Sequence, residues 1–311
     1  MVDSYVGWPV DMVAKRVVKK SILIGSEALE HRSLLDLHRP LEEGLIKEGS
    51  EKDIAAVREI LGHLIGLARD GEKDARVHAV VGVPAETLRV NKQQLRQVMQ
   101  GMVDSMLIVS EPFAVAYGVE ALLHTMVIDC GAGTTDFCVM KGRYPTEEDQ
   151  RTLTKAGDSV DDVLATLIAE RHPDVQFTIH MVRQWKEEHG FVGDPPKKVT
   201  VSAPSRGKAR PIDITDPLRQ ACESLVAPFT ETMLDLLAAV EPEFQERVRH
   251  NVILAGRGAR ITGLAAALER TLAEFGGGTV TLVDDPIFAG AAGSLMIAED
   301  AEESDWEKVA I

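Results

Sequence analysis

Apolar positions recur with two periods along this chain. Ile54, Val57, Leu61 and Leu64 stand at helical spacing, which predicts a helix with one buried face. Ser50 precedes it with Asp53 three residues on, a capping-box pattern. HAVVGVP (78–84) is a β-branched run closed by Gly and Pro, read as a buried strand. The segment up to Gly101 is helical, with Leu95, Val98, Met99 and Met102 on one side. MLIVSEP (106–112) predicts a second strand followed by a short helix, and TMVIDC (125–130) a third strand. After the turn GAGTT, FCVMKG continues as a fourth strand, Phe137 and Val139 alternating with Cys138 and Met140.

The second half repeats this alternation. Residues 158–171 and 215–240 read as helices, the latter capped by Asp216 with Pro217 in its first turn. Residues 193–217 between them are rich in Pro, Ser and charge and predict a small hairpin-bearing subdomain. NVILAG (251–256) is another buried strand, and a helix follows over 262–275. Gly276, Gly277 and Gly278 then supply a C-cap and turn, since they follow a helix rather than precede one. Strands alternating with helices place the chain in the α/β class. VIDCGAG and VILAGRG each run from an apolar strand into a Gly turn, which fits two related lobes facing one ligand.

Composition narrows the partners. The 311 residues carry 34 basic and 49 acidic side chains, a net charge of −15. That charge excludes a general nucleic-acid binder, which needs Lys and Arg to neutralise phosphates. It leaves open a small phosphorylated ligand held by backbone amides and a metal ion. Three cysteines without C-x-x-C spacing exclude a disulfide framework and a Cys-based zinc site. Charge interrupts every apolar run of the first twenty residues, and no run approaches the eighteen or so that a membrane span needs. A soluble cytoplasmic protein without membrane insertion is expected.

Three elements carry chemistry. VIDCGAGTTD (127–136) is not the dinucleotide fingerprint, because Asp136 stands where a third Gly is needed and a strand follows where a helix is needed. A strand instead delivers Asp129, a Gly-Ala-Gly-Thr turn follows, and a strand returns. Gly131 and Gly133 are expected to take unusual φ and bring the backbone close to a ligand. The turn amides would form an anion nest, with Asp129 holding hydrated Mg2+ against the same phosphates. The competing reading is an ordinary hairpin. ILAGRGARITG (253–263) suits backbone packing against a nucleotide base, or equally a plain strand-to-helix turn. In SEPFAVAYG (110–118), Glu111 could orient water for attack on a phosphoryl group. A first-turn Glu also stabilises a helix dipole, which for a lone Glu is the commoner reason.

In this order the three elements resemble the actin superfamily, which also includes Hsp70-type chaperones and sugar kinases. DCGAGTTD is similar to its second phosphate loop, ILAGRG to its adenosine motif, SEPFAVAYG to the segment with the water-orienting side chain, and RPLEEGLI (39–46) to the inter-subdomain stretch of bacterial actins. Over nearly the whole chain the likeness is narrower, to the actin-like proteins of magnetotactic bacteria. The resemblance implies an actin-like ATPase fold: two lobes, each a mixed sheet flanked by helices, with a nucleotide cleft between them. It implies a first lobe over 1–124, with its IB subdomain about 5–38. The second lobe would span 125–295, with IIA about 125–160 and 213–295 and IIB about 161–212, and a tail would follow over 296–311. It implies ATP and Mg2+ as cofactors. Asp129 would bind the metal through water. Gly131, Ala132, Gly133, Thr134 and Thr135 would cradle the phosphates, and Glu111 would position the attacking water. Gly157, Lys186, Glu187, Gly256, Arg257 and Gly258 would approach the nucleoside.

Two departures stand out. No D-x-G-[ST] occurs in residues 1–45, so the family's N-terminal phosphate loop and its hairpin are missing, and the first lobe is expected to be incomplete, through a reading frame that starts late or a degraded copy. Arg257 stands where the family has Gly; at positive φ a side chain would cost about 1 kcal/mol, or its guanidinium could stack on adenine. The resemblance implies a self-assembling cytoplasmic filament, associated with magnetosomes through adaptor proteins and hydrolysing ATP if the missing loop exists upstream. The rival is a non-hydrolysing scaffold that co-assembles with a full-length paralogue. A chaperone or sugar kinase fits poorly. At −15, subunits repel, so assembly should strengthen with salt or Mg2+. The basic run 193–211 reads as a solvated hairpin, or as a contact for an acidic partner or the next subunit.

Overall fold

The computed structural model describes residues 1–44, 46, 51–72, 74–195 and 197–310. The elements follow in the order β1 (Val6–Pro9), α1 (Met12–Val18), β2 (Leu23–Ile24), α2 (Ser26–Glu30), β3 (Leu35–His38), α3 (Glu51–Arg69), β4 (His78–Val83), α4 (Arg89–Met99), β5 (Ser105–Ser110), α5 (Glu111–Gly118), β6 (Leu123–Cys130), β7 (Thr135–Lys141) and β8 (Gln150–Leu153). Then come α6 (Gly157–Arg171), α7 (Ile179–His189), β9 (Thr200–Ser205), β10 (Lys208–Asp213), α8 (Thr215–Glu223), α9 (Val226–Ala238), α10 (Pro242–Arg249), β11 (Val252–Ala255), α11 (Leu264–Ala273), β12 (Val280–Leu282), α12 (Ala289–Asp300) and α13 (Glu303–Glu307). Among the described residues no helix is long and apolar enough to cross a membrane.

The chain divides into two compact units. The first comprises Met1–Val83, Thr87–Ile108 and Ala298–Ile311. It holds a three-stranded sheet in the order β2-β1-β3 and a separate pair, β4-β5. Val57, Leu95, Val98, Met99 and Met106 form one of its apolar clusters. The C-terminal residues, expected as a tail, are packed here: Trp306 is buried and lies 4.9 Å from the His78 ring, and Met106 N–H donates to Val309 O at 3.1 Å.

The second unit comprises Pro84–Glu86 and Val109–Ile297. Its five-stranded sheet has the order β12-β11-β6-β7-β8. The first three strands are parallel, and β6, β7 and β8 run antiparallel in sequence. Helix α5 packs on β6 and β7, so residues 109–124 group with this unit, whereas the lobe boundary was expected at 124/125. The hairpin expected within 193–217 is the pair β9–β10.

Three expectations need correction. The helix over 215–240 is two helices, broken at Ser224 and Leu225, where the Ser224 hydroxyl donates to Ala221 O at 2.6 Å. Its N-cap position is Ile214, which offers no side-chain cap; Asp213 Oδ1, one residue earlier, accepts from the Thr215 amide at 3.0 Å, and Asp216 sits inside the first turn. Helix α3 buries Ala56, Val57 and Ile60 and leaves Ile54 and Leu64 exposed, because the apolar positions available on both sides of the stripe let the helix roll. Ser50, read as its cap, lies outside the described residues, while Asp53 accepts from His38 Nδ1 at 2.6 Å. Strand β4 is buried fully only at Val83. The glycine C-cap is as expected: Gly276 and Gly277 take φ of +97° and +88°, and Gly277 N–H closes on Leu272 O at 2.9 Å.

Candidate phosphate and nucleoside site

Strands β6 and β7 face each other with Asp129 opposite Asp136 and Cys130 opposite Thr135. Cross-strand partners present their side chains to one face, so the two aspartates stand together where the strands end. Between them lies the turn 131–134, closed by Gly131 N–H donating to Thr134 O at 2.9 Å. Among the described residues, the amides of Ala132, Gly133 and Thr134 donate to no other backbone carbonyl. These are the donors an anion nest needs. The expected unusual φ is not there: neither Gly131 nor Gly133 is at positive φ. Gly131 is needed for space instead, since a Cβ would sit 3.1 Å from Thr134 O.

Asp136 is a structural acid. Its Oδ1 accepts from the Ala85 amide at 2.7 Å and the Thr152 hydroxyl at 2.6 Å, and its Oδ2 from the Thr134 hydroxyl at 3.0 Å. It thus ties the 84–86 segment and β8 to the turn. Thr135 is committed likewise, its hydroxyl donating to Lys155 O at 2.8 Å.

Asp129 and Glu111 have no such partners to offset their burial. Burial and then the neighbouring Asp136 push Asp129 up to about 7. Burial, then Asp129 and Asp136, push Glu111 up to about 8. Glu111 is the first residue of α5. That helix is fixed by close approach to α12, where Gly293 leaves no room for a Cβ, which would meet Ala114 O at 1.8 Å. A shared cation is what such carboxylates suit. Among the described residues no three His, Cys, Asp or Glu side chains form a ready cage. Mg2+ fits under that condition, because it is commonly held by one or two carboxylates with waters and substrate phosphates.

The remaining candidates gather around the same strand ends. Gly157 N–H and Asp158 N–H, opening α6, donate to Gly131 O at 3.2 Å and Ala132 O at 2.7 Å. Lys186, buried on α7, donates to Gly157 O at 2.7 Å and pairs with Asp161 at 2.7 Å. Its charge is therefore spent within the protein. Ala255 of β11 pairs with Asp129 of β6. Gly256, at φ +80°, lies so close that a Cβ would be 2.3 Å from Cys130 O and 2.5 Å from Asp129 Oδ1. A Cβ on Gly258 would meet Cys130 Sγ at 2.2 Å. The second glycine motif thus locks β11 onto the first. Arg257 is not at positive φ, so the anticipated strain does not arise. Its guanidinium pairs with Glu187 at 3.1 Å. All thirteen residues singled out in sequence fall in this one unit, around the carboxyl ends of β6 and β11, where ligands of α/β sheets bind.

Sequence reasoning missed Asp136, Asp161 and Arg183 as organisers. Asp161 pairs with Lys186 and, at 3.0 Å, with Arg183, which also reaches Asp158 at 2.9 Å. The signal was present: Asp161 is a charge on the apolar face of α6, between Val160 and Leu164.

The chain resembles known proteins over nearly its whole length. The family model described as MreB/Mbl protein matches residues 11–305. The actin-like protein MamK of Paramagnetospirillum magneticum is 40% identical over 309 residues, covering 99% of this chain and 89% of the relative. The solved MamK double helical filament superposes with a TM-score of 0.94 at 40% identity, over 97% of this chain and 92% of that one. A non-polymerising mutant of MamK bound to AMPPNP gives a TM-score of 0.70 at 41% identity, over 96% and 91%. With the family model spanning almost its full length and a relative of 40% identity beside it, the chain belongs to the MreB/Mbl family of actin-like proteins.

Proposed function

We propose that the chain binds ATP with Mg2+ at the ends of β6 and β11 and assembles into an actin-like filament that arranges magnetosomes in the cytoplasm through adaptor proteins. The observation that carries this reading is the pair Glu111 and Asp129, half-buried and raised toward neutrality beside three turn amides that donate to no backbone carbonyl. In this reading Asp129 holds Mg2+ through water, and the metal neutralises phosphate charge. The turn amides receive the phosphate oxygens, while the first amides of α6 hold the turn in place through the Gly131 and Ala132 carbonyls. Glu111 positions the attacking water, and a carboxyl near neutrality can take and return a proton. Gly157, Glu187, Gly256, Arg257 and Gly258 border the nucleoside. That one relative binds AMPPNP and others are filaments supports the reading.

Addition of ATP and Mg2+ should produce light scattering, a pelletable polymer and phosphate release. Glu111→Ala should keep the polymer and lower phosphate release about a hundredfold. No nucleotide-dependent polymer from the unmodified chain would refute the proposal. The pair Arg257–Glu187 favours a second reading, since it engages a side chain otherwise aimed at the nucleoside. There the chain is a non-hydrolysing scaffold that co-assembles with a full-length paralogue, and it pellets with that partner without releasing phosphate.

A further inference from the structure

A cavity of about 370 Å3 opens on the surface of the second unit between α9 and α11. Its floor is apolar: Val192 and Ala267 are buried and Val226 is half-buried. Its walls are held by the fold itself. Val192 N–H donates to Thr262 O at 2.8 Å, Thr262 N–H donates to Gly190 O at 3.1 Å, and a Cβ on Gly263 would meet Val192 O at 2.5 Å. The Thr230 and Thr271 hydroxyls meet at 3.4 Å and tie α9 to α11. Three charged side chains line the rim. One of them is spent, because the Glu223 carboxylate accepts from Arg219 at 3.0 Å and from the Gly193 amide at 3.3 Å. Arg270 and Glu274 are exposed, and among the described residues neither side chain has a hydrogen bond or an ion pair. Arg270 lies in α11 and Glu274 is its C-cap, so one helical turn of about 5–6 Å separates them, in the order that pairs less well. The Arg270 Nη2 stands beside Gly193, 3.8 Å from where a Cβ on that glycine would be. The cavity thus has an apolar floor and one unspent charge of each sign.

We propose that this cavity captures the carboxyl end of a partner polypeptide whose last side chain is apolar and whose third-last residue is basic. The planar fork of the Arg270 guanidinium matches a free carboxylate. The last side chain rests on Val192, Val226 and Ala267, and Glu274 takes the positive charge. In an extended chain, residues two apart point the same way and lie about 7 Å apart, which suits the spacing of Arg270 and Glu274. A bound metabolite is enclosed over most of its surface. Here both unspent charges stand on an open rim, where the rest of a chain can leave. A ligand of one sign alone would meet its own charge at one of the two positions, so the pair selects a carboxylate and a cation together. None of these residues belongs to the phosphate or nucleoside candidates, and the inference stands apart from the filament reading.

The test is fluorescence anisotropy of the full chain without nucleotide, with the labelled peptide GSKGV carrying a free carboxyl end. That peptide should bind, and its amidated form should bind about tenfold more weakly, the cost of a lost hydrogen bond to a charged group. Arg270→Gln should weaken the free-carboxyl peptide by about the same factor and leave the amidated one unchanged. The peptide GSEGV should bind the unmodified chain about threefold more weakly than GSKGV, as an exposed pair allows. Glu274→Lys should restore it, which assigns the effect to that pair. Thermal melting should stay unchanged in both variants, since both side chains are exposed. Equal binding of the free and amidated peptides overturns the proposal, as does no binding at about 1 mM, or an Arg270→Gln chain that still prefers the free carboxyl end. If N-acetylvaline binds as tightly as the peptide, the occupant is a small carboxylate and the proposal is also overturned. Because no nucleotide is present, failure here leaves the filament reading intact, and failure of nucleotide-dependent assembly leaves this result intact.

Discussion

Four acids in the second unit differ in company: Asp149 and Asp161 are buried, and Asp129 and Glu111 are half-buried. Asp149 is ringed by Lys141 at 3.1 Å, Arg143 at 2.8 Å and the Thr146 amide and hydroxyl at 2.8 Å, and its pKa falls to about 2. Asp161 sits between Lys186 and Arg183 at 2.7 and 3.0 Å. Asp129 and Glu111 have only burial and other acids, and rise to about 7 and 8. The first pair hold the fold together. The second pair make the unliganded fold worse, and such a cost persists where a ligand supplies the missing charge.

Removing a partner from the first pair should produce the largest loss. Lys186→Met leaves Asp161 buried with Arg183 alone and frees the Gly157 carbonyl. Breaking a buried pair costs about 3–5 kcal/mol, and the surviving Arg183 places this case near the lower figure. Urea unfolding of the nucleotide-free chain measures it, and a loss below about 1 kcal/mol would dissolve the distinction. Asp129→Asn is expected to move the other way. Without nucleotide and in EDTA it should stabilise the chain by about 2 kcal/mol, by removing a charge that has no counter-charge. With ATP and Mg2+ the same variant should lose phosphate release. A destabilised Asn variant would mean that Asp129 is a structural acid after all.

Acidity probes the first pair directly. Asp149 has a pKa of about 2 in the folded chain against about 3.9 when unfolded. A depressed acid contributes stability above its unfolded pKa and loses it as pH falls through the folded one. Its contribution is therefore constant above about pH 5, amounts to about 2 kcal/mol, and declines between about pH 4 and pH 2. The stability difference between the unmodified chain and Asp149→Asn, followed by urea titration across that window, should shrink toward zero at the acid end. A difference independent of pH would assign the effect to packing.

Much of this site was legible because its chemistry is local. Asp129 and the turn 131–134 are contiguous in sequence, as are the glycines of 256–258 among themselves, and each strand and its turn are set by their own residues. Even so, the reason for the glycines was misread. Gly131 and Gly133 are not at positive φ, and Gly256 serves contact with Cys130 and Asp129, which lie over a hundred residues away. Long-range pairing of this kind leaves no local pattern. The same holds for Lys186, whose partners Gly157 and Asp161 lie on another helix. In the fold, the strands read from apolar runs beside Gly and Pro were placed well, whereas β1, β2, β3, β8 and β12 were not read at all. The long helix over 215–240 was not placed well either, because Ser224 and Leu225 between α8 and α9 keep helical backbone angles and no Gly or Pro marks the break.

Arg257 gives the finest test of what a partner does to an acid. Its guanidinium holds Glu187 at 3.1 Å, with both side chains a little over a third exposed. An exposed pair of this kind contributes about 0.2–1 kcal/mol. The backbone at Arg257 is not at positive φ, so replacing it by glycine relieves no strain and releases Glu187 from the pair. If Glu187 borders the nucleoside, Arg257→Gly releases its carboxylate to the ligand's hydroxyls. The unmodified chain should then bind ATP up to about fivefold more weakly than the glycine variant, the factor that 1 kcal/mol allows. Equal affinities in an ATP titration would place the pair outside the nucleoside's reach and leave Glu187, like Asp149 and Asp161, among the acids that serve only the fold.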